Sequence, residues 1–222
     1  MDSAVLQLIV LAGIAIFLIL RLRSVLGTRE GFEKPPLPES RGGPGAAGPR
    51  RDFEVIEGGP DTDITDHVKE GSPAAEAFAA MKAAEPDFHA GEFLHGARQA
   101  YEMILMAFEA GDMDALLPFL SRDVYESFME VVEVREREGL KVEASFVGLR
   151  DVGVVTASFN RSTAEAEITV KFDAELTSVV RNASDEIVEG DPNEIKRQKD
   201  VWTFARRMGM DDPNWQLVAT GG

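Results

Sequence analysis

The stretch TAEAEITVKFDAELTSVV, residues 163–180, decides the fold. Its apolar residues fall on alternate positions: Ala164, Ala166, Ile168, Val170, Phe172 and Ala174. Between them stand Glu165, Glu167, Thr169, Lys171, Asp173 and Glu175. Successive side chains of a strand point to opposite faces, so this period of two puts one face in a core and the other in water. That pattern belongs to an antiparallel sheet with one buried face.

Outward from it, the same alternation marks Val142, Ala144 and Phe146, and a second run extends from Val152 to Phe159. Lys196–Arg207 and Trp215–Thr220 read as further strands, with a loop at 182–193 and a turn at Asp211–Asn214. Upstream the period becomes helical. Ser72-Pro73 is an N-cap followed by proline at the first helical position, and that helix runs to about Ala84. A longer one spans about Ala90 to Ala110, with Phe93, Ala97, Tyr101, Ile104, Leu105 and Phe108 on one side and Gly111 as C-cap. Asp112 caps a short helix through Leu120. Ser121 caps another over Arg122–Glu138, whose apolar stripe is Val124, Tyr125, Phe128, Val131 and Val132. Helices followed by strands give an α+β domain over residues 72–222, its helices covering the apolar face of the sheet.

Residues 24–71 read as a flexible tether, with Pro35, Pro36, Pro38, Pro44, Pro49 and Pro60 and the run GGPGAAG at 42–48. Within it Asp52–Ile56 is a candidate docking segment, with a solvated linker as the alternative, and Arg41, Arg50 and Arg51 are candidates for headgroup contacts. Residues 1–23 read as a membrane anchor. Ala4 to Leu20 is apolar apart from Gln7, with Ala4, Leu8, Leu11, Ile14, Phe17 and Leu20 along it. As a helix it spans about 25 Å, near the lower limit for a bilayer, and its aliphatic residues favour insertion by about 4–7 kcal/mol. Arg21, Arg23 and Arg29 follow it, so the positive-inside rule puts the N-terminus outside and the domain in the cytoplasm. A basic leader and a small-residue cleavage site are missing, which favours an uncleaved anchor.

Seven Lys/Arg stand against four Asp/Glu in residues 1–51, giving +3, and 16 against 35 beyond, giving −19, so the acidity behind the net charge of −16 lies beyond residue 51. An acidic domain repels nucleic acid and favours basic protein partners. There is no cysteine, hence no disulfide framework and no thiol chemistry.

The stretch FLHGARQAYEMILMAFEAGDMDALLPFLSRDVYESF (93–128) resembles the helical part of the Tim-forty-four family, named for the import-motor subunit of the mitochondrial inner-membrane translocase. VWTFARRM (201–208) and DPNWQLVAT (212–220) resemble its closing strands, and the anchor with LRSVLGTREG (22–31) is similar to alphaproteobacterial, TimA-type members. The resemblance implies a cone-shaped domain like that of the nuclear transport factor two superfamily, on the inner membrane. It implies adaptor or scaffold work there, with translocon, chaperone or membrane proteins as partners and cardiolipin as a lipid. The Pro/Gly-rich tether replaces the charged helical segment through which mitochondrial members recruit a chaperone.

A search for chemistry returns little. His67, His89 and His95 are scattered, and no HExxH, paired-Cys or GxSxG pattern occurs. No metal, cofactor or catalytic residue is expected. The acids of the alternating strands are expected on the solvent face, which argues against an enzyme of the isomerase kind. Tyr101, Phe108, Tyr125, Phe128, Phe172, Trp202 and Trp215 are the candidate lining of a pocket for a lipid or other hydrophobe, with Ala164, Ala166 and Ala174 leaving it room. The bland alternative is that these aromatics are core. The reading is thus a membrane-anchored adaptor serving translocation or membrane-protein quality control, with a hydrophobe-binding domain as alternative and a cone-fold enzyme behind both.

Overall fold

A computed structural model describes residues 61–221. The anchor from Ala4 to Leu20, the arginines at 21, 23 and 29 and the tether through residue 60 lie outside the described residues. Among the described residues no helix is long and apolar enough to cross a membrane.

Among the described residues five helices precede five strands: α1 (Thr62–Thr65), α2 (Pro73–Ala84), α3 (Ala90–Ala110), α4 (Met113–Leu116) and α5 (Arg122–Arg137), then β1 (Lys141–Asn160), β2 (Glu165–Arg181), β3 (Ile187–Gly190), β4 (Lys196–Arg207) and β5 (Gln216–Gly221). The strands form one antiparallel sheet in the order β1-β2-β4-β5, with β3 also paired to β2. The helices pack on its inner face, as α+β requires.

The caps do what the sequence asks of them. Ser72 Oγ accepts from Ala75 N–H at 3.2 Å, Ser121 Oγ from Val124 N–H at 3.4 Å and Asp112 from Ala115 N–H at 3.2 Å. Gly111 closes α3 in the left-handed region, φ 74°. On β2, Ala166, Ile168, Val170, Phe172 and Ala174 are all buried. They meet Phe78, Met81, Tyr101, Ile104 and Leu116 from the helices in one core.

Several expectations need correction. Residues 61–71 are not the end of the tether. Asp61 caps α1, Ile64 is buried, and Lys82 on α2 bridges Asp61 and Asp63 at 2.6 and 2.9 Å. Tertiary partners hold a four-residue helix that local sequence does not announce. The two runs at 142–146 and 152–159 are one strand, β1. Its register against β2 slips at Val147, Arg150 and Val155, and each bulge resets the alternation. Part of the loop at 182–193 is β3; Gly190 fits there because a Cβ would lie 2.2 Å from the Ser178 carbonyl oxygen. Ala164 belongs to the β1–β2 turn, φ 58°, rather than to the inward row. Val131 is 41% exposed and leaves the stripe of α5. The short helix ends at Leu116 rather than Leu120, and α5 ends at Arg137.

The outer sheet face is a ladder of ion pairs. Lys171 meets Asp151 at 2.7 Å, Arg150 meets Glu175 at 2.8 Å, Arg181 meets Glu143 at 3.1 Å, and Arg197 pairs with Asp173.

Candidate functional site

A cleft of about 330 Å³ opens between the α2–α3 connection, α3 and the turn after β4. Its floor is apolar: Phe88, Phe93, Ala97, Ile104 and Phe204. Trp215 walls it, with ring centroids 4.7 Å from Phe93 and 6.1 Å from Phe88. Glu85, Asp87, His89 and Glu92 edge it. Asp87 and Glu92 are exposed, and no Lys or Arg of the described residues pairs with either. The cleft is therefore an apolar slot with uncompensated negative charge along one lip.

Local structure fixes each wall. Proline at 86 cannot donate within a helix, so α2 stops and the chain turns past Asp87 and Phe88 into α3. Asp63 then holds the start of α3: its carboxylate accepts from Ala90 N–H at 2.9 Å and Gly91 N–H at 3.0 Å. Burial alone would raise the pKa of Asp63, but the donors at Gly91, Lys82 and Ala90 outweigh it and hold the pKa down to about 2. Opposite, Glu85 and Arg206 clasp the β4–β5 turn. Arg206 pairs with Glu85 and donates to the Pro213 carbonyl at 3.0 Å, and Glu85 accepts from Gly209 N–H at 2.9 Å. The Arg206 hydrogen bond holds the Glu85 carboxyl below its ordinary pKa.

The seven aromatics expected to line one pocket fall in three places. Trp215 borders the cleft. Tyr101, Phe172 and Trp202 are buried together, Tyr101 stacked on Phe172 with centroids 4.3 Å apart and 4.6 Å from Trp202. Phe108 and Phe128 pair at 4.4 Å between α3 and α5, Tyr125 is half-buried on α5, and the Arg135 guanidinium lies 4.8 Å from the Phe108 ring centroid. Neither Ala166 nor Ala174 borders the cleft.

The expectation that strand acids face solvent fails at Asp200. It lies in the same alternating row of β4 as the buried Trp202 and Phe204, and accepts from Tyr101 Oη–H at 2.6 Å and Gln198 Nε2–H at 2.7 Å. Burial first, then this hydrogen bond and the nearby charge, push the Tyr101 pKa up. Both partners are committed to each other, so the pair pins α3 to the sheet. Glu109 is a second half-hidden acid; burial raises its pKa, and Arg135 at 3.4 Å offsets part of that. The three histidines do not meet at one point: His89 Nδ1 lies 3.6 Å from Asp63, His67 Nε2 lies at the same corner beside Gly91, and His95 approaches Gln99 at 3.4 Å. No cluster of metal-ligating side chains occurs among the described residues.

Sequence reading missed Glu85, Asp87, Glu92 and Arg206. For Arg206 a signal existed: carrying the alternation of Trp202 and Phe204 two residues further puts it on the inner row.

Residues 74–222 match the model of the Tim44-like domain. The chain is similar to subunit TIM44 of the mitochondrial import inner membrane translocase from Homo sapiens, 24% identical over 160 residues, and from Rattus norvegicus, 22% identical over 160 residues. These matches cover 71% of this chain and 35% of each relative, so the chain spans about a third of the curated relatives it matches. Among solved structures, the intermembrane space region of the chloroplast protein ARC6 aligns at TM-score 0.37 and 11% identity, covering 59% of this chain and 92% of that one.

Proposed function

The chain belongs to the Tim44-like domain family, and from that premise we propose that it is a membrane-tethered adaptor whose acidic domain binds basic, apolar segments of other proteins. In this reading Ala4–Leu20 anchors it in a bacterial inner membrane, and residues 24–60 carry the domain on its cytoplasmic side. Its work there is in protein translocation or membrane-protein quality control. The observation that carries it is the cleft: aromatic walls at Phe88, Phe93 and Trp215 beside the uncompensated acids Asp87 and Glu92. Aromatic slots supply contact area, and unpaired rim charges steer and select the partner. Committed hydrogen bonds at Asp200 and Tyr101 support binding rather than catalysis.

The test is in-cell photo-crosslinking of the full chain. A photoreactive side chain at Gly96, where an added Cβ meets nothing within 4 Å, faces the cleft. One at Lys199 on the outer sheet face serves as control. Defined adducts from position 96 alone, through segments rich in Lys/Arg and apolar residues, support the reading; equal labelling from both positions removes it. The apolar floor also favours a second reading, an acyl chain such as that of cardiolipin. Lipid retained by purified full-length chain and displaced by bulk at position 96 would establish that instead.

A further inference from the structure

Arg206 is the single Lys or Arg among the residues lining the cleft, and its side chain is only 9% exposed. Its guanidinium carbon lies 5.5 Å from the Trp215 ring centroid, and it pairs with Glu85 at one end of the slot. An aromatic face beside a carboxylate is how a protein recognises an arginine or lysine of a partner. Here the domain has built that recognition site and filled it with its own side chain. The fit is incomplete: Arg206 Nε is buried and has no hydrogen-bond partner, and an unmet donor in an interior is unfavourable. Two further acids, Asp87 and Glu92, remain open along the same lip.

We infer that Arg206 is an internal stand-in for a partner's cation, so that the cleft is self-occupied at its Glu85 end and open at its Asp87/Glu92 end. This rests on the adaptor reading and sets its selectivity. A partner cation is read first by Asp87 and Glu92, and reaches Glu85 and Trp215 only by displacing Arg206. Arg206 therefore sets a threshold that suppresses weakly basic segments, because apparent affinity falls by the fraction of domains in which the site is already taken.

The experiment uses the full chain in detergent micelles with two labelled helical peptides, one alternating Leu and Arg faces, the other Leu and Glu, read by fluorescence anisotropy. R206M releases Glu85 and Trp215, so the Leu–Arg peptide binds about fivefold or more tighter. The gain disappears in the E85Q/R206M double variant. A role confined to shaping the wall predicts the reverse, since losing the bond to Pro213 would loosen Trp215 and weaken binding. Unchanged or weaker Leu–Arg binding by folded R206M overturns the inference. R206Q, which keeps a donor for Pro213 but no charge, decides the matter should R206M not fold; it is expected to show the same gain, and no gain overturns the inference. If the unmodified chain shows no preference for Leu–Arg over Leu–Glu peptide, and R206M and R206Q show none either, the adaptor reading itself fails. Preference without a gain sinks the inference alone.

Discussion

The outer sheet face and the cleft lip are both rich in acids, and they use them in opposite ways. On the sheet, Asp151, Asp173, Glu175 and Glu143 each meet a Lys or Arg across the strands. Their charge is spent within the surface. At the cleft, Asp87 and Glu92 have no such neighbour and stand beside Phe93 and Trp215. Acids matched within a surface offer a visitor little, and unmatched ones with no apolar floor, such as Glu165 and Glu167 on the same sheet face, offer attraction alone; unmatched acids over an apolar slot offer both attraction and contact area. The net charge of −16 is therefore a poor guide to where binding occurs; unpaired acids beside apolar surface are the better one.

The comparison breaks most severely if the cleft floor is dispensable. Phe93 is 8% exposed and packs on Trp215 and Phe204. Phe93→Ala should cost about 3–4 kcal/mol, read as a lower denaturant midpoint, because the floor of the slot is also the core. Next comes the N-terminal edge of the cleft. D63N removes an anion from the start of α3 and a partner from Lys82, and should cost about 2 kcal/mol near neutral pH. With its pKa lowered from 3.8 to about 2, the Asp63 contribution is complete above about pH 4 and fades as pH falls towards 2. Wild-type and D63N stabilities should converge over that interval; a constant gap would show that the carboxylate charge is not what matters. The paired substitution D87N/E92Q sharpens the contrast. It should leave the thermal midpoint within error yet weaken a Leu–Arg peptide about tenfold, with the loss shrinking at high salt. The smallest effect belongs to the sheet: D173N should lower the midpoint slightly and leave peptide binding unchanged.

Much of the fold was legible because its signals are local. Ser72, Ser121 and Gly111 mark helix ends by their own hydrogen bonds and backbone angles, and the β2 alternation names its buried face residue by residue. What escaped depends on distant partners. The first helix exists because Lys82, Ala90 and Gly91 wait for Asp61 and Asp63. The bulges of β1 hid a single strand behind two short runs. The cleft joins Trp215, which the sequence did name, to Glu85, Glu92 and Arg206 on separate segments that no spacing rule connects to it. Counting aromatics pointed instead to the densest part of the core, where Tyr101, Phe172 and Trp202 already fill one another's space.

The docking of α1 also has a mechanical meaning. In the membrane-anchored arrangement proposed above, tension from the anchor enters the body at Asp61, where Lys82 grips two carboxylates at once. The load passes to α2 and the first turn of α3 before any strand is asked to unzip. In that arrangement Asp61 and Asp63 act as a strain relief, in the engineer's sense.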